Sequence, residues 1–599
     1  MKKLLIVILL VLIPVRVYAA CVADGGNWAS TPDLASVASC VSQADAGDTI
    51  TVSAGDGSED WGSQLAITKG VKIVGPGAGS LTITSTFVGD NSRTGINDYL
   101  IFYVPSTPAN NDPFEISGVT WDMNDQCGFL YIDNASTTYK NNKINIHDNI
   151  ILDGDRNTFT FRGQVYGVIH SNTITQTNTD TSYAIISPYG KNADSWNNLA
   201  FDYGSEDVLY VEDNTITFQQ MLNDGGLGGR MVLRYNDIIF GRDDNGETIT
   251  DAHGNQVGAN NATMGTEIYG NSIDYNAYSG ALFGHRGGKG IAFYNNATDV
   301  ASYLSIKISE EYADVDTPPT TGLGGSTQHV EDSYYWRNYQ DGNLIVPAIN
   351  QECCSGLVKG PDEDCCYNAP DGILENTDWF QDDTSFDGTE GVGCGTLVSR
   401  PETCTTGVGY WATDQSCSVL TDYVGIEPTT PISGTLYKCT STDTWESYFT
   451  PYTYPHPLRG ADDTAPTISN VSSDHANGTF GESEVIDIDV YFSEQVTSTG
   501  VITVTLETGT TDRECEIAEI SVAATSGTCN YTVQAGDISA DLEVKTIAGT
   551  IQDAASNAMS VFTPTTNLAA NKDIVIQTNI APSPPYSFRC GTISGGTHQ

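Results

Sequence analysis

Short apolar runs of three to six residues alternate with Gly, Asn and Asp turns through most of the first 345 positions. Six of these runs share one shape: "INIHDNII" (144–151), "GVIHSNTI" (167–174), "LYVEDNTI" (209–216), "VLRYNDI" (232–238), "TEIYGNSI" (266–273) and "IAFYNNAT" (291–298). Each leads to an Asn with an apolar residue or Thr two places on, and the aligned Asn residues are Asn149, Asn172, Asn214, Asn236, Asn271 and Asn296. The steps are 23, 42, 22, 35 and 25 residues. Repeats of that length with strands this short predict a parallel β-solenoid, in which each coil buries its inward side chains on its neighbours and adds about 4.8 Å of height. A buried Asn at the same turn of successive coils predicts a ladder of side-chain amides bonded to the backbone and to each other. Unrelated Asn-rich turns in an ordinary sandwich would not keep six copies aligned. The 42-residue step predicts two coils, the middle one degenerate ("YAIISPYG", 183–190), and the 35-residue step predicts one coil plus an insertion over 241–261.

The pattern changes twice. From 346 to 458 the composition turns to Cys, Asp, Gly and aromatic residues, which predicts a cysteine-rich extension of long loops laid back along the solenoid of 21–345. After a linker at 459–466 the period becomes two. In "VIDIDVYF" (485–492) Ile486, Ile488, Val490 and Phe492 fall on one face, as in half-buried antiparallel strands, and the same pattern predicts a sandwich over 467–577 with a Pro/Gly-rich tail at 578–599.

Lys2 and Lys3, the apolar run 4–15 and the exit "VYAA" predict a signal peptide over 1–20 and hence a secreted or cell-surface protein. That run is shorter than the ~20 apolar residues a spanning helix needs, and no later segment reaches it, so no integral membrane segment is expected. The chain carries 75 acidic against 26 basic residues, a net charge of −49. Such a surface repels nucleic acid and anionic lipid, which excludes nucleic acid as a partner and favours divalent cations. The other account of the acids is a soluble coat. Fourteen cysteines in an exported chain predict disulfides, with Cys21 and Cys40, and Cys515 and Cys529, as local pairs. Eight more, including the doublets Cys353–Cys354 and Cys365–Cys366, crowd the extension, where the doublets argue against a zinc site.

"AGDTITVSAG" (46–55), "LAITKGVKIVGPG" (65–77) and "LTITST" (81–86) resemble the opening of pectate-lyase-like right-handed parallel β-helix proteins. That resemblance implies a first coil capped by the amphipathic segment 33–43. "GGRMVLRYNDI" (228–238), "DAHG" (251–254), "HRGGKGIAFYNN" (285–296), "TTGVGYWATDQ" (405–415) and "GTLYKCTSTDTWESYFTPYTYPHPL" (434–458) are similar to secreted bacterial and phage-associated β-helix proteins, mostly of unassigned activity. "DDTAPT" (462–467), "FSEQV" (492–496), "GDISADLEV" (536–544) and "IQDAASNA" (551–558) resemble bacterial immunoglobulin-like repeats, which act as spacers or adhesive units. The fold class expected is therefore all-β: a right-handed parallel β-helix followed by an immunoglobulin-like β-sandwich.

Insertions in a solenoid leave the wall as loops on one face, often the binding face. The loop at 241–261 holds Asp243, Asp244, Glu247, Asp251 and His253, and flanking coils supply Arg230, Arg234, Glu267, Tyr269, His285, Arg286 and Lys289. Stacked cationic and acidic side chains suit an extracellular polysaccharide or cell-surface glycan. A lyase needs a base beside a cation that neutralises the uronate carboxylate, roles open to His253 with Arg234, Arg286 or Lys289. A hydrolase needs two carboxylates flanking the glycosidic oxygen, for which Asp251 and Glu267 are candidates. Asp243, Asp244 and Glu247 offer a calcium site, although their spacing departs from the EF-hand. The structural accounts are a turn bond for His253, an outer-wall ion pair for Arg234, and packing for Trp379, Tyr410, Trp411, Trp445 and Tyr448. Two functions follow: a polysaccharide lyase, with hydrolase less favoured, or a non-catalytic adhesion or carbohydrate-binding protein. The first requires base and cation to converge in one groove; the second predicts no such convergence and aromatic or Asn and Thr ladders facing solvent.

Overall fold

The computed structural model describes residues 21–578 except 25–26, 93–94, 178–181, 199, 242–247, 255–260, 302–303, 310–327, 350–372, 461–464, 522–523 and 554–557. The signal segment, the tail, the acids Asp243, Asp244 and Glu247, and both cysteine doublets lie outside the described residues. The chain divides into two compact units, 1–459 and 460–599.

The first unit is wound from three long sheets of 13, 11 and 10 strands, called here sheets 1, 2 and 3, and from the second coil onward successive strands join them in rotation. One coil runs Arg230–Arg234 (sheet 1), Asp237–Phe240 (sheet 2) and Thr248–Ala252 (sheet 3); the next runs Gly265–Tyr269, Ser272–Asp274 and Gly280–His285, parallel to the first. The inward row of sheet 2 shows why the coils stack. Ile83, Trp121, Ile151, Ile174, Ile216, Ile238 and Ile273 follow one another in register, and all are buried. Burial of each such side chain contributes about 1.5–3 kcal/mol. The first coil is covered by a helix, Leu34–Gln43, whose N-cap Asp33 accepts the Ser36 N–H and whose Val37, Cys40 and Val41 face the core. Cys40 is bonded to Cys21 on the first strand.

The turn between sheets 1 and 2 is the repeated element. Each Asn Oδ1 accepts the backbone N–H and the side-chain amide of the Asn one coil earlier, at 2.9–3.1 Å for the pairs Asn149–Asn172, Asn172–Asn214, Asn214–Asn236 and Asn236–Asn271. The amide nitrogen of Asn172 also reaches the His170 carbonyl at 2.8 Å and the Ile146 carbonyl of the preceding coil at 2.9 Å. Immediately before each rung the chain takes the left-handed conformation, with φ of 52–55° at Ser171, Asp213 and Tyr235. Such a φ is costly for bulky residues, so the ladder holds what local preference would not.

Three expectations are corrected. The sixth rung is Asn295, not Asn296: Tyr294 takes the left-handed φ of 52°, Asn295 turns inward to Asn271 and Asn338, and Asn296 opens the next sheet 2 strand opposite Ser272. Asn338 adds a seventh rung. The 42-residue step is one coil, because Asn172 bonds Asn214 directly; its surplus is an excursion after the sheet 3 strand Ser182–Tyr189 that includes the helix Ala193–Asn198. The 35-residue step is also one coil, and Thr248–Ala252, expected in an inserted loop, is a regular strand between Met221–Gly225 and Gly280–His285.

Among its described residues the extension is not a set of loops. Trp379–Gln381 joins sheet 1, and Val392–Gly395, Gly409–Ala412, Thr435–Ser441 and Thr444–Phe449 form a four-stranded sheet, with Cys394–Cys417 and Cys404–Cys439 as disulfides. Its Trp411, Leu436 and Phe449 pack on Tyr269, Phe293 and Trp336 of sheet 1, with the Phe293 ring 4.3 Å from Trp336 and 5.1 Å from Trp411. Sheet 1 is thus buried on both faces over these coils. Cys127 is an unpaired, buried thiol that burial pushes up to about 12, against the expectation that cysteines here pair.

The second unit is built of short, mainly antiparallel sheets. Its longest strand, Val485–Ser498, pairs with Ile468–Ser472 and Ala524–Thr532, and buries Ile486, Ile488, Val490 and Phe492 on one face as the alternation predicts. Cys515 and Cys529 are bonded. Among the described residues no helix is long and apolar enough to cross a membrane.

Asn295→Ala is expected to cost about 2 kcal/mol or more, because it leaves the backbone N–H of Asn271 without a partner, while Asn296→Ala should change stability by less than about 0.5 kcal/mol. Equilibrium unfolding of the two variants side by side checks the assignment, and equal losses would refute it.

Candidate functional site

Sheet 3 carries the site. On its outer face Asp224 of Met221–Gly225, Asp251 of Thr248–Ala252 and Gly284 of Gly280–His285 occupy one register position on successive coils. His253 and Arg286 follow two residues after Asp251 and Gly284, so all four charged side chains fall on two adjacent rows. Gly284 leaves the space beside Asp251 open; a Cβ there would lie 3.0 Å from Thr248 Cγ2 and 3.4 Å from Asp251 Oδ1. Tyr189, at the end of Ser182–Tyr189, bridges Gly226 one coil along and sends its hydroxyl to Asp224 Oδ2.

The group forms one connected chain. His253 Nε2 lies 2.9 Å from Asp224 Oδ1 and 3.6 Å from Asp251 Oδ2. Arg286 grips Asp251 with two donors, Nε to Oδ1 at 2.9 Å and Nη2 to Oδ2 at 2.6 Å, and Nη2 also lies 2.6 Å from His253 Nδ1. Burial works against the Asp224 carboxylate, but His253, Tyr189 and Arg286 outweigh it and hold the group below its usual range. An ionised Asp224 only accepts, so His253 Nε2 carries a proton toward it; the same Arg286 Nη2 lies 3.0 Å from Nε2, so the guanidinium rests against both ring nitrogens and not on one lone pair. The side chains of Asp251, His253 and Arg286 keep 12 %, 17 % and 23 % of their surface, enough for a ligand to reach. Asp224, Asp251 and His253 bring ligand atoms within 4.8 Å of one another and could hold a metal ion, as could Asp474, Asp487 and Asp489 in the second unit. Two carboxylates and one imidazole fall short of the roughly six to eight oxygens calcium prefers.

Of the residues singled out in the sequence, His253, Asp251 and Arg286 come together. The remaining candidates are held elsewhere. Arg234 is fully buried on the outer face of sheet 1, paired with Glu212 at 2.6 Å and donating to Tyr269 Oη at 3.0 Å and to the carbonyls of Tyr452 and Thr453 at 2.7 and 2.9 Å. Glu267 lies beneath the same cover; burial pushes its carboxyl up to about 7 against the Gly204 N–H at 2.7 Å and the Arg234 charge. Lys289 pairs with Asp332 at 3.3 Å, a carboxylate that also binds Lys438. His285 is a core residue, bonded to Tyr335 Oη at 2.6 Å and drawn down to about 4 by burial. Arg230 is buried and donates to the Ala200 carbonyl at 3.0 Å. Of the five aromatics, Trp379, Tyr410 and Trp411 are buried, Trp445 donates to the Pro401 carbonyl, and Tyr448 packs in the extension.

Arg234 is the centre of a second ionic cluster that fastens a strap, residues 450–459, across sheet 1. Tyr454 Oη bonds both Asp213 oxygens at 3.0 Å, the His456 N–H donates to Glu212 at 2.9 Å, and Arg459 binds Asp213 and, at 3.3 Å, Glu212. Burial raises Asp213 to about 7, with Arg459 opposing and Glu212 adding, and burial draws His456 down to about 4.

Asp224 and Tyr189 are the members that the sequence did not reveal. Asp224 sits in "MLNDGG" and Tyr189 in "SPYG", segments outside the Asn signature, and only strand register brings them to His253. No family model, curated protein or solved structure matches the chain.

Arg234→Ala strands a buried carboxylate and is expected to cost about 3–5 kcal/mol, whereas Arg286→Ala, at a partly exposed position, should cost no more than about 1–2 kcal/mol. Denaturant unfolding separates the two, and equal losses would make Arg286 a structural residue. His456 titrates below its unfolded value of about 6.5, so its contribution is full above that pH and is lost as pH falls towards 4. The expected result is that His456→Gln flattens the fall in melting temperature between about pH 6.5 and 4; an unchanged pH profile would show that His456 does not set it.

Proposed function

We propose that this is a secreted, pectate-lyase-like right-handed β-helix protein with an immunoglobulin-like C-terminal domain, and that it cleaves an acidic extracellular polysaccharide by β-elimination on sheet 3. The observation carrying this reading is the convergence of a base and a fixed cation: His253 Nδ1 within 2.6 Å of Arg286 Nη2, on an outer face that solvent reaches. In the free protein Asp251 occupies the guanidinium. A uronate carboxylate displaces part of that contact and is neutralised by Arg286, which acidifies the adjacent C–H. Drawing Arg286 onto the substrate takes the guanidinium off the His253 ring, and Asp224, bonded at Nε2, leaves Nδ1 as the nitrogen that can take a proton. Lys307 lies opposite Gly284 one coil further on and adds positive charge where the chain as a whole is strongly acidic. Calcium, which bridges acidic polymers to acidic surfaces, belongs in the assay on that ground.

The adhesion reading has its own observation. On the outer face of sheet 2, Thr82, Thr120, Thr173 and Thr215 share one register row, with Ile150 the interruption, and Thr84, Thr175 and Thr217 fall two residues on. Thr120 is buried and Asp122 and Leu152 interrupt the second row, so the remaining threonines offer hydroxylated area without acid–base chemistry.

Incubation with a panel of acidic and neutral polysaccharides, with and without Ca²⁺, is expected to release unsaturated uronides with the wild type and at least about 100-fold less with His253→Ala. Reducing ends without unsaturation would assign the Asp224 and Asp251 pair to hydrolysis. Binding without product would leave the adhesion reading.

A further inference from the structure

Elimination needs a proton for the departing sugar oxygen as well as a base, and the inference here rests on the elimination reading above. Tyr189 and His253 stand one coil to either side of Asp224 and share its carboxylate, the phenol on Oδ2 and the imidazole on Oδ1 at 2.9 Å. Between them, on the coil of Asp224 itself, is Gly226, where a Cβ would lie 3.6 Å from Tyr189 Cε1 and 3.8 Å from His253 Cβ. The backbone does not demand glycine there, since its φ is not left-handed. A glycine inside a strand edge weakens it and often marks a close approach by a ligand or by another group. Here it leaves a bare stretch of main chain between the Tyr189 ring and the His253 side chain. Tyr189 is half-buried, unlike Tyr210, Tyr235 and Tyr269, whose hydroxyls are sealed beneath the extension.

We propose that Tyr189 is the general acid of this site and that Asp224 is the carboxylate through which acid and base are reset. In the forward step the C5–H bond breaks and its proton passes to His253 Nδ1. The electron pair forms the C4–C5 double bond, the C4–O bond breaks, and the departing oxygen takes the Tyr189 proton. The resulting imidazolium gives its Nε2 proton through Asp224 to the phenolate, which leaves neutral His253 in its other tautomer, and exchange with solvent restores the first.

The test uses the full chain and two substrates: the natural-type polyuronide that the wild type cleaves, and a uronide whose leaving group is an aryl ether that departs without protonation. Tyr189→Phe is expected to lose at least about 100-fold in kcat on the polymer with KM within about 3-fold, and to cleave the aryl substrate at close to the wild-type rate. His253→Ala should lose activity on both. Equal loss on both substrates by Tyr189→Phe, or no loss on either, would overturn the assignment while leaving the elimination reading intact. A wild type that cleaves neither substrate would overturn both together.

Discussion

The middle and later coils of the first unit depend on the turn in which a left-handed residue is followed by a buried Asn. That turn sets the angle between sheets 1 and 2 in every coil from Asn149 to Asn338, and it does so with a side chain whose donors and acceptor are all used. A buried amide without partners would cost more than a hydrogen bond contributes, so each rung depends on the next and the coils are locked in phase. Phase is what assembles the sheet 3 cluster. Asp224, Asp251 and Gly284 share a position only because three coils hold the same register, and a slip of one residue would turn Asp251 into the core.

The two charged clusters show how similar residues take opposite roles. Around Arg234 the guanidinium is enclosed by carboxylate, carbonyls and the rings of Tyr210 and Tyr454, with cation–ring distances of 4.7 and 5.4 Å. Every donor is committed and none is exposed. Around Arg286 the same chemistry is left partly open to solvent, which screens the pair and lowers what it contributes to stability.

Much of the solenoid was legible in the sequence because its period is written in small, directional signals: Ile two residues after Asn, alternation in sheet 2, glycine or aspartate at the turn. Where two asparagines adjoin, as at 295 and 296, the pattern alone could not choose, since the choice is made by which preceding residue goes left-handed. The site was half legible. "DAHG" placed Asp251 and His253 together, but Asp224 lies 27 residues before Asp251 and reaches it only through strand pairing. Arg234 and Glu267 were drawn into the groove because nothing near them announces a cover that arrives some 220 residues later in the chain. A signal did exist: "LYVE", "RMVLR" and "GIAFY" are apolar on both faces, as strands buried on two sides must be.

The strap has a mechanical meaning. Its fastening at Asp213 is made to the left-handed residue of a ladder turn, and the extension touches coils as far apart as Asn145, through Leu458, and Gly270, through Gly425. A solenoid without such a splint can unravel from its end one coil at a time, each step resisted only by its nearest neighbour. Here the strap and extension tie coils to one another beyond their nearest neighbours, so the coils that carry the sheet 3 cluster are joined twice, once by strand pairing and once by the splint.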